Sequence, residues 1–364
     1  MSFFSIYVHI PFCRRKCNYC AFYSVTQTDL INEYIRSLEK EIELQSKTIN
    51  KNIKKYKTIY FGGGTPSVID IKSLEKIFRK LADIKGFNSL DEVTFEANPD
   101  SIDDDKIKLL RDFNITRVSL GLESSLDKYL KFLGRLSSYD DFFKKYDAVK
   151  KYFDVNIDLI YGIPGQSEKE LVSDIKNAVD LKPDHISVYG LEIHKNTPFY
   201  GRVKTDDDEM SNFYFLLCDF LVSNGYLHYE ISNFSLLGKE SKHNLNYWNW
   251  GDYIGLGPSA SSHIRDMRYK NISDVRTYIT ALNNGKIELE YSEKLDKKDI
   301  NNEILMLSLR KVSGLDKKSP TYLIFKDKIL SMISKGYMEE YKDSVRIKKE
   351  YFFVSNSIIS DIMQ

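Results

Sequence analysis

Cys13, Cys17 and Cys20 fall within eight residues of the stretch Tyr7-Val-His-Ile-Pro-Phe-Cys-Arg-Arg-Lys-Cys-Asn-Tyr-Cys-Ala-Phe22, and they are three of the four cysteines in the chain. Thiolates are soft ligands for zinc or for the iron of iron–sulfur clusters. Spacings of three and then two residues let one loop wrap three sulfurs around one centre. A structural zinc site closes its tetrahedron with a fourth Cys or His, and the nearest candidate, His9, lies upstream in a segment that reads as a strand. A [4Fe–4S] cube held by three cysteines leaves one iron open to a small molecule. A zinc knuckle and a cluster of reactive thiols remain the alternatives on spacing alone.

CxxxCxxC with an aromatic residue before its last Cys, preceded by Tyr-x-His-Ile-Pro-Phe, resembles radical S-adenosylmethionine (SAM) proteins. The match is to the oxygen-independent coproporphyrinogen III oxidase-like family and its heme chaperone branch. The resemblance implies that Cys13, Cys17 and Cys20 hold a [4Fe–4S] cluster whose open iron chelates SAM. An electron from the cluster can then cleave the sulfonium to a 5′-deoxyadenosyl radical. Gly62-Gly-Gly-Thr-Pro-Ser67 ends a predicted strand, where glycines let backbone approach a ligand and offer N–H groups to an anion. By the resemblance it contacts the methionine amino group of SAM. Glu96 and Asp158 are acids in predicted strands, where carboxylates are depleted. A structural ion pair would explain them, and the family places them at SAM. The same likeness puts Arg135 near the SAM carboxylate, where its guanidinium fork would bond. The full SAM set is Tyr7, Phe22, Gly64, Thr65, Glu96, Glu123, Arg135 and Asp158, of which Tyr7 and Phe22 serve equally well as packing residues.

A second stretch, Ser241-Lys-His-Asn-Leu-Asn-Tyr-Trp248, contains a histidine beside flat aromatic side chains. A neutral imidazole nitrogen can ligate heme iron, with Tyr and Trp against the porphyrin face. A lone His of this kind is more often structural. HNxxYW nevertheless resembles the heme-binding pattern of the chaperone branch, with His243, Asn244, Tyr247 and Trp248 in its four positions.

These residues need a frame. Ser5–Ile10, Thr58–Phe61, Glu92–Glu96, Thr116–Leu120, Phe153–Ile160 and His185–Glu192 read as strands. Helical periodicity falls between them at Asp29–Ser46, Lys72–Ala82 and about residues 103–111, 126–150 and 167–180. Six β–α alternations predict a parallel sheet, and the family forms an open six-stranded barrel. Beyond residue 200 the sequence predicts a helix from Thr205 to Asn224 that starts in a solvated acidic run. Tyr229–Phe234 is expected to be an extended segment crossing the open barrel edge, and Ser273–Asn284 a closing helix. Helices at Asn301–Arg310 and Ser319–Lys335 and a hairpin at Tyr337–Ile347 give a winged-helix pattern. Lysine-rich Lys47–Lys57 reads as a solvated helix end. The expected fold is α/β: a partial (β/α)6 radical SAM barrel over 1–200, a barrel-closing region with HNxxYW over 201–290, and a smaller α+β C-terminal region with a winged-helix-like domain over 291–364.

The 364 residues, 42% hydrophobic, suffice for one large domain and a smaller one. A net charge of +1 gives no global field toward nucleic acid or anionic membrane. Clustered cysteines and a lone Cys218 exclude a disulfide framework and suit a reducing cytoplasm. No basic n-region or long apolar run marks a signal peptide or transmembrane span, which leaves transient contact with a membrane surface.

Three functions compete. One is a heme chaperone that passes heme to respiratory hemoproteins. Another is coproporphyrinogen III oxidase of porphyrin biosynthesis, and the third is a nucleic-acid-linked regulator. The oxidases of the family carry a further Cys two residues after the last cluster Cys and an N-terminal extension, whereas here Phe22 stands at that position and Cys13 comes early. Both features favour the chaperone without oxidase activity, and mixed charges in the C-terminal helices disfavour the regulator. Two departures stand out from the family's RxSxGxQSF and LGRxH: Glu123 replaces Gln, and Ser137 replaces His. A carboxylate at 123 loses the amide donor and adds charge beside SAM. Any SAM cleavage needs electrons from a reductase or from a flavodoxin or ferredoxin.

Overall fold

Alternate residues of the first six strands are apolar and face helices, while those between them are polar and face inward. In the computed structural model, which describes residues 4–51, 56–84 and 89–363, these strands are β1 (Phe4–Ile10), β2 (Tyr56–Gly63), β3 (Glu92–Ala97), β4 (Arg117–Glu123), β5 (Asp154–Tyr161) and β6 (His185–Gly190). They pair parallel in sequence order. The helices between them are α1 (Ile31–Lys51), α2 (Ile71–Ala82), α3 (Asp104–Asp112), α4 (Asp127–Leu133), α5 (Tyr139–Lys150) and α6 (Glu168–Asp180). Ile6, Val8, Ile59, Phe61, Phe95, Val118, Ile157 and Val188 are buried in the layer between sheet and helices. Phe61 packs edge-on against Phe78 at 5.2 Å, so Phe61→Ala would cost about 3 to 5 kcal/mol through the cavity it leaves.

The inward register runs Ser5 to Thr58 to Glu92, and Tyr7 to Tyr60 to Thr94, with Ser119 beside Asn156 and Asp158 beside Ser187. A polar lumen on this scale suits a polar ligand at the carboxyl end of the strands, where such folds place their sites.

The helix expected over 126–150 is two helices. Gly134 ends α4 in the left-handed region at φ +83, and Ser138 opens α5 with a capping box to Asp141. The lysine-rich end expected at Lys47–Lys57 lies partly outside the described residues; α1 runs to Lys51.

Beyond β6 the same sheet grows at both edges. After α7 (Asp207–Ser223), capped by Asp206, β7 (Leu227–Glu230) and β8 (Asn233–Ser235) form a hairpin antiparallel to β6, where a single extended segment was expected. Then α8 (Lys242–Trp248) precedes β9 (Asp252–Leu256), which pairs parallel with β1, and β10 (Ser261–Ile264) and β11 (Met267–Asn271) follow antiparallel. After α9 (Val275–Asn283), β12 (Leu289–Lys294) completes a twelve-stranded sheet.

The remainder is a winged-helix-like unit: α10 (Lys297–Leu309), β13 (Leu315–Asp316), α11 (Pro320–Ser334), the hairpin β14 (Met338–Tyr341) and β15 (Ser344–Ile347), and α12 (Ser355–Ile362). It docks on the barrel through backbone bonds between 229–231 and 310–312. Among the described residues no helix is long and apolar enough to cross a membrane.

Candidate functional site

The three cysteines lie in the loop that leaves β1 at its carboxyl end. Backbone bonds from Cys13 N to Val25 O and from Val25 N to Pro11 O close this loop on itself. Asn18 fixes its far side to α4: its backbone N–H donates to Leu133 O at 2.9 Å and its amide to Phe132 O at 2.8 Å. These are carbonyls that a helix end leaves unpaired. All four cysteines are free thiols, with Cys13 buried and Cys17 and Cys20 partly exposed. Burial pushes the thiols of Cys17 and Cys20 up, so a metal there must displace their protons. Among the described residues no three His, Cys, Asp or Glu side chains converge closely enough for a single ion.

The glycine segment lies directly on this loop. Gly64 N–H donates to Ile10 O and Thr65 N–H to Phe12 O, both at 2.8 Å. A side chain on Gly64 would meet Phe12 O at 2.7 Å, and Gly63, at φ +110, would meet the His9 ring at 2.5 Å. The N–H groups expected to face an anion are therefore spent on the cysteine loop, and Gly63 N–H donates to Glu96 Oε2 at 3.2 Å. The Thr65 hydroxyl lies 3.5 Å from Cys13 Sγ.

Opposite stands a buried ion pair. Arg135 Nε is 3.0 Å from Glu123 Oε2, its Nη2 donates to Asn98 Oδ1 at 3.0 Å and to Gly121 O at 3.1 Å, and its Nη1 lies 3.9 Å from Cys17 Sγ. The guanidinium fork is thus largely engaged within the protein. Tyr19 also donates to Glu123, at 3.3 Å. Burial pushes the Glu123 carboxyl up to about 7, against the opposing pull of Arg135 and of the Tyr19 hydroxyl. Glu123 has φ +63, a left-handed backbone costing a β-carbon residue about 1 kcal/mol or more, at an irregularity in the β4–β5 register.

Glu96 keeps some accessible surface yet lies deep among protein atoms, and this burial pushes its carboxyl up to about 7 against the hydrogen bond from Tyr60. Asp158 is likewise raised by burial, and accepts from Ser119 at 2.9 Å and Asn156 at 2.9 Å. His9 gives its Nε2–H to Tyr23 O at 3.0 Å, so Tyr7 donates to His9 Nδ1 at 3.0 Å. The structure therefore brings Gly64, Thr65, Glu96, Glu123, Arg135 and Asp158 around the cysteine loop. It leaves Phe22 out, 71% exposed. Asn98 and Tyr19 join the cluster; the sequence offered Asn98 only as part of Glu96-Ala-Asn-Pro99, which the family resemblance sets along the SAM site, and Tyr19 only as the aromatic before the last Cys of the motif.

The HNxxYW segment lies at the other end of the lumen. Glu92, at the start of β3, accepts from the backbone N–H groups of Lys242 and His243, both at 3.0 Å, and pairs with Arg117, so α8 is anchored across the amino ends of the strands. His243 is 1% exposed. Thr58 donates to Ser5 at 2.8 Å, which leaves its oxygen to accept from His243 Nδ1–H at 2.8 Å and His243 Nε2 to accept from the Tyr247 hydroxyl at 2.8 Å. Burial pushes His243 down to about 3, so it is neutral. Both of its nitrogens are engaged, unlike the free ligand expected from the sequence.

A cavity of about 550 Å³ opens beside it, lined by Tyr7, Tyr60, His243, Asn244 and Tyr247, by Trp250, Tyr253 and His263, and by Met306 and Leu307 of α10. Its volume is that of a site for a cofactor-sized ligand. Trp248 is not in that lining; Arg310 lies 5.8 Å over its ring.

The model of the radical SAM superfamily matches residues 7–178. The chain is 36% identical to the heme chaperone HemW of Lactococcus lactis, over 95% of this chain and 90% of the relative. The chain belongs to the HemW family of radical SAM proteins. Identity to the HemW of Bacillus subtilis is 33%, over 86% of this chain and 85% of that one. Among solved structures, coproporphyrinogen III oxidase of Escherichia coli matches with a TM-score of 0.85 at 21% identity, covering 100% of this chain and 90% of that one, which shows a shared fold. Membership of the radical SAM family implies a [4Fe–4S] cluster and SAM.

Proposed function

We propose that this chain is a heme chaperone: it binds heme and passes it to acceptor hemoproteins, respiratory ones among them, while carrying a [4Fe–4S] cluster and SAM. The observation that carries the reading is the cavity walled by His243, Asn244 and Tyr247 of the HNxxYW helix. The name shared by the relatives supports it.

In this reading Cys13, Cys17 and Cys20 hold the cluster, which supplies an electron for cleaving SAM. Glu96, Glu123 and Asp158 set three carboxylates against the one guanidinium of Arg135, a field that favours the ammonium and sulfonium charges of SAM. Gly64 and Thr65 bring backbone close, and Tyr7 stands beside Tyr60 in the lumen. His243, Asn244 and Tyr247 wall the heme. Trp248 lies under Arg310 outside the cavity lining, and Phe22, exposed beside the cysteine loop, is free to cover SAM. An electron-donating reductase, flavodoxin or ferredoxin and a cytoplasmic setting complete the proposal. Transient contact at a membrane surface would serve delivery.

The test is an anaerobic titration of the cluster-reconstituted protein with hemin, with coproporphyrinogen III turnover assayed on the same sample and heme transfer measured to an apo-hemoprotein. Saturable binding and transfer without decarboxylation are expected. Turnover to protoporphyrinogen IX would make the chain an oxidase instead.

A further inference from the structure

Arg14, Arg15 and Lys16 are consecutive cations that fill the interval between Cys13 and Cys17. Both ends of the run are tied down: Cys13 N–H donates to Val25 O at 2.9 Å, and Asn18 N–H donates to Leu133 O at 2.9 Å. Cations are not buried without partners, so a run held at both ends stands out from the loop. Arg14 and Arg15 are exposed and Lys16 is partly exposed.

Only Arg14 has an acid partner. It donates to Asp100 O and lies 3.5 Å from the Asp100 carboxylate. Among the described residues Arg15 and Lys16 form no ion pair. The acids that follow Asp100 at the start of α3 border the Arg14 side, and Asp103 there lies 3.8 Å from Lys106. Two exposed lysines flank the loop elsewhere. Lys131 precedes Phe132, whose carbonyl holds the Asn18 amide, and Lys195 precedes Asn196, whose amide donates to Ala21 O at 3.4 Å. The acid of that last segment, Glu192, lies 3.2 Å from His194. With a net charge of +1 on the whole chain, this is a local excess rather than part of a global field.

The excess sits on the thiols. Arg14 and Arg15 wall a shallow cleft together with Cys17, Arg135 and Leu136, and Leu136 is 51% exposed. One cysteine of the motif is therefore reached from the protein surface, past a basic rim and beside one exposed apolar side chain. Transient redox encounters bury little area and draw their speed and orientation from complementary charge. This rim matches a carrier that surrounds its own exposed redox centre with carboxylates.

We infer that Arg15 and Lys16, with Arg14, Lys131 and Lys195 around them, form the docking surface for an acidic one-electron carrier protein that reduces the cluster. The inference rests on the cluster-bearing part of the reading above. One electron passes from the reduced carrier to the cluster, and no bond forms or breaks. Because α8 lies across the amino ends of the strands and the cysteine loop at their carboxyl ends, carrier and heme approach from opposite ends.

The experiment measures anaerobic binding of a reduced flavodoxin, and separately of a plant-type ferredoxin, to the full-length protein with and without its cluster. Calorimetry is run at ionic strengths of about 0.01 and about 0.15 M, where charges are felt over about 30 and about 8 Å. Wild type should bind at least one carrier in both forms, more weakly at the higher ionic strength. Arg15→Glu/Lys16→Glu should lose at least about tenfold in affinity, and the carrier should bleach the cluster more slowly by a similar factor. Iron content and the hemin titration should be unchanged. Lys326→Glu/Lys335→Glu, which makes the same change in net charge at exposed positions on and just past α11, should bind as wild type. Failure of wild type to bind either carrier, undiminished binding by Arg15→Glu/Lys16→Glu, or an equal loss in the α11 variant would overturn the docking surface. A shifted midpoint potential with unchanged affinity would overturn it too, by making the run a tuner of the cluster. A wild type that takes up no iron and sulfide would remove the cluster and this inference together, whereas a failed hemin titration alone would sink only the chaperone reading.

Discussion

Tyr60 donates its hydroxyl to Glu96 Oε1 at 2.7 Å while its ring lies 5.1 Å from that of His243. One side chain thus touches the carboxylate at the cluster end of the lumen and the wall of the cavity at the other. Glu96 is pushed up to about 7 by burial, and the Tyr60 bond opposes this rise. With Glu96 accepting from the SAM ammonium, SAM affinity should climb as pH rises through about 7. Tyr60→Phe removes the opposing bond, so the climb should move up by as much as roughly one pH unit. Anaerobic calorimetry across that range checks it, and a profile unmoved by Tyr60→Phe would remove Glu96 from the SAM site.

The pair of Glu123 and Arg135 predicts a large stability effect from a small change. Glu123→Gln keeps the shape but strands a buried guanidinium, at a cost of about 3 kcal/mol. The urea midpoint of the purified protein should fall accordingly. A variant as stable as wild type would show that Asn98 and Gly121 alone satisfy Arg135.

Each of Cys13→Ala, Cys17→Ala and Cys20→Ala should lose most of the iron and sulfide taken up on anaerobic reconstitution. Cys218→Ala should keep it. Cys218 is buried in α7 with its thiol pushed up to about 12, far from the metal-binding form. Iron retained by any of the first three variants would take that cysteine off the cluster.

Acid stability should depend on His228, which stacks 4.3 Å from Phe234 and is pushed down from 6.5 to about 4 by burial. The folded state refuses a proton that the unfolded chain accepts, so this group's contribution is intact above 6.5 and is lost as pH falls toward 4. His9 acts with the same sign over the same window, and Glu230, pushed up to about 7, acts with the opposite one. The difference between wild type and His228→Phe isolates one site. Below 6.5 the wild type should lose stability faster, by about 1.4 kcal/mol per pH unit. Parallel curves from chemical denaturation at stepped pH would refute it.

The cysteine loop and the six strands were legible because each rests on a local signal: ligand spacing in one case, and β-branched alternation bounded by glycine and proline in the other. The break between α4 and α5 was missed because apolar periodicity continues across Gly134, and only its left-handed backbone ends the first helix. The added strands β9 to β12 were missed for a different reason. All four are short and β10 to β12 are largely polar, while β9 is interrupted by Gly255 and is a strand chiefly because β1 offers it an edge. His263 carried no motif at all. Its bond to Gly251 O depends on the turn before β9. His243 did carry the motif, and the hydroxyls of Thr58 and Tyr247 that engage it come from other elements or the next helical turn.

The pairing of Phe4 with Asp252 sets a timetable for biogenesis. β1 is an inner strand, so its second neighbour leaves the ribosome only after most of the chain has been made. Until then the loop with Cys13, Cys17 and Cys20 hangs from a half-paired strand, open to scavenging metals and oxidants. Loading with iron and sulfide is therefore safest as a late event, after synthesis has passed β9, and truncations that end before that strand should accumulate as apoprotein.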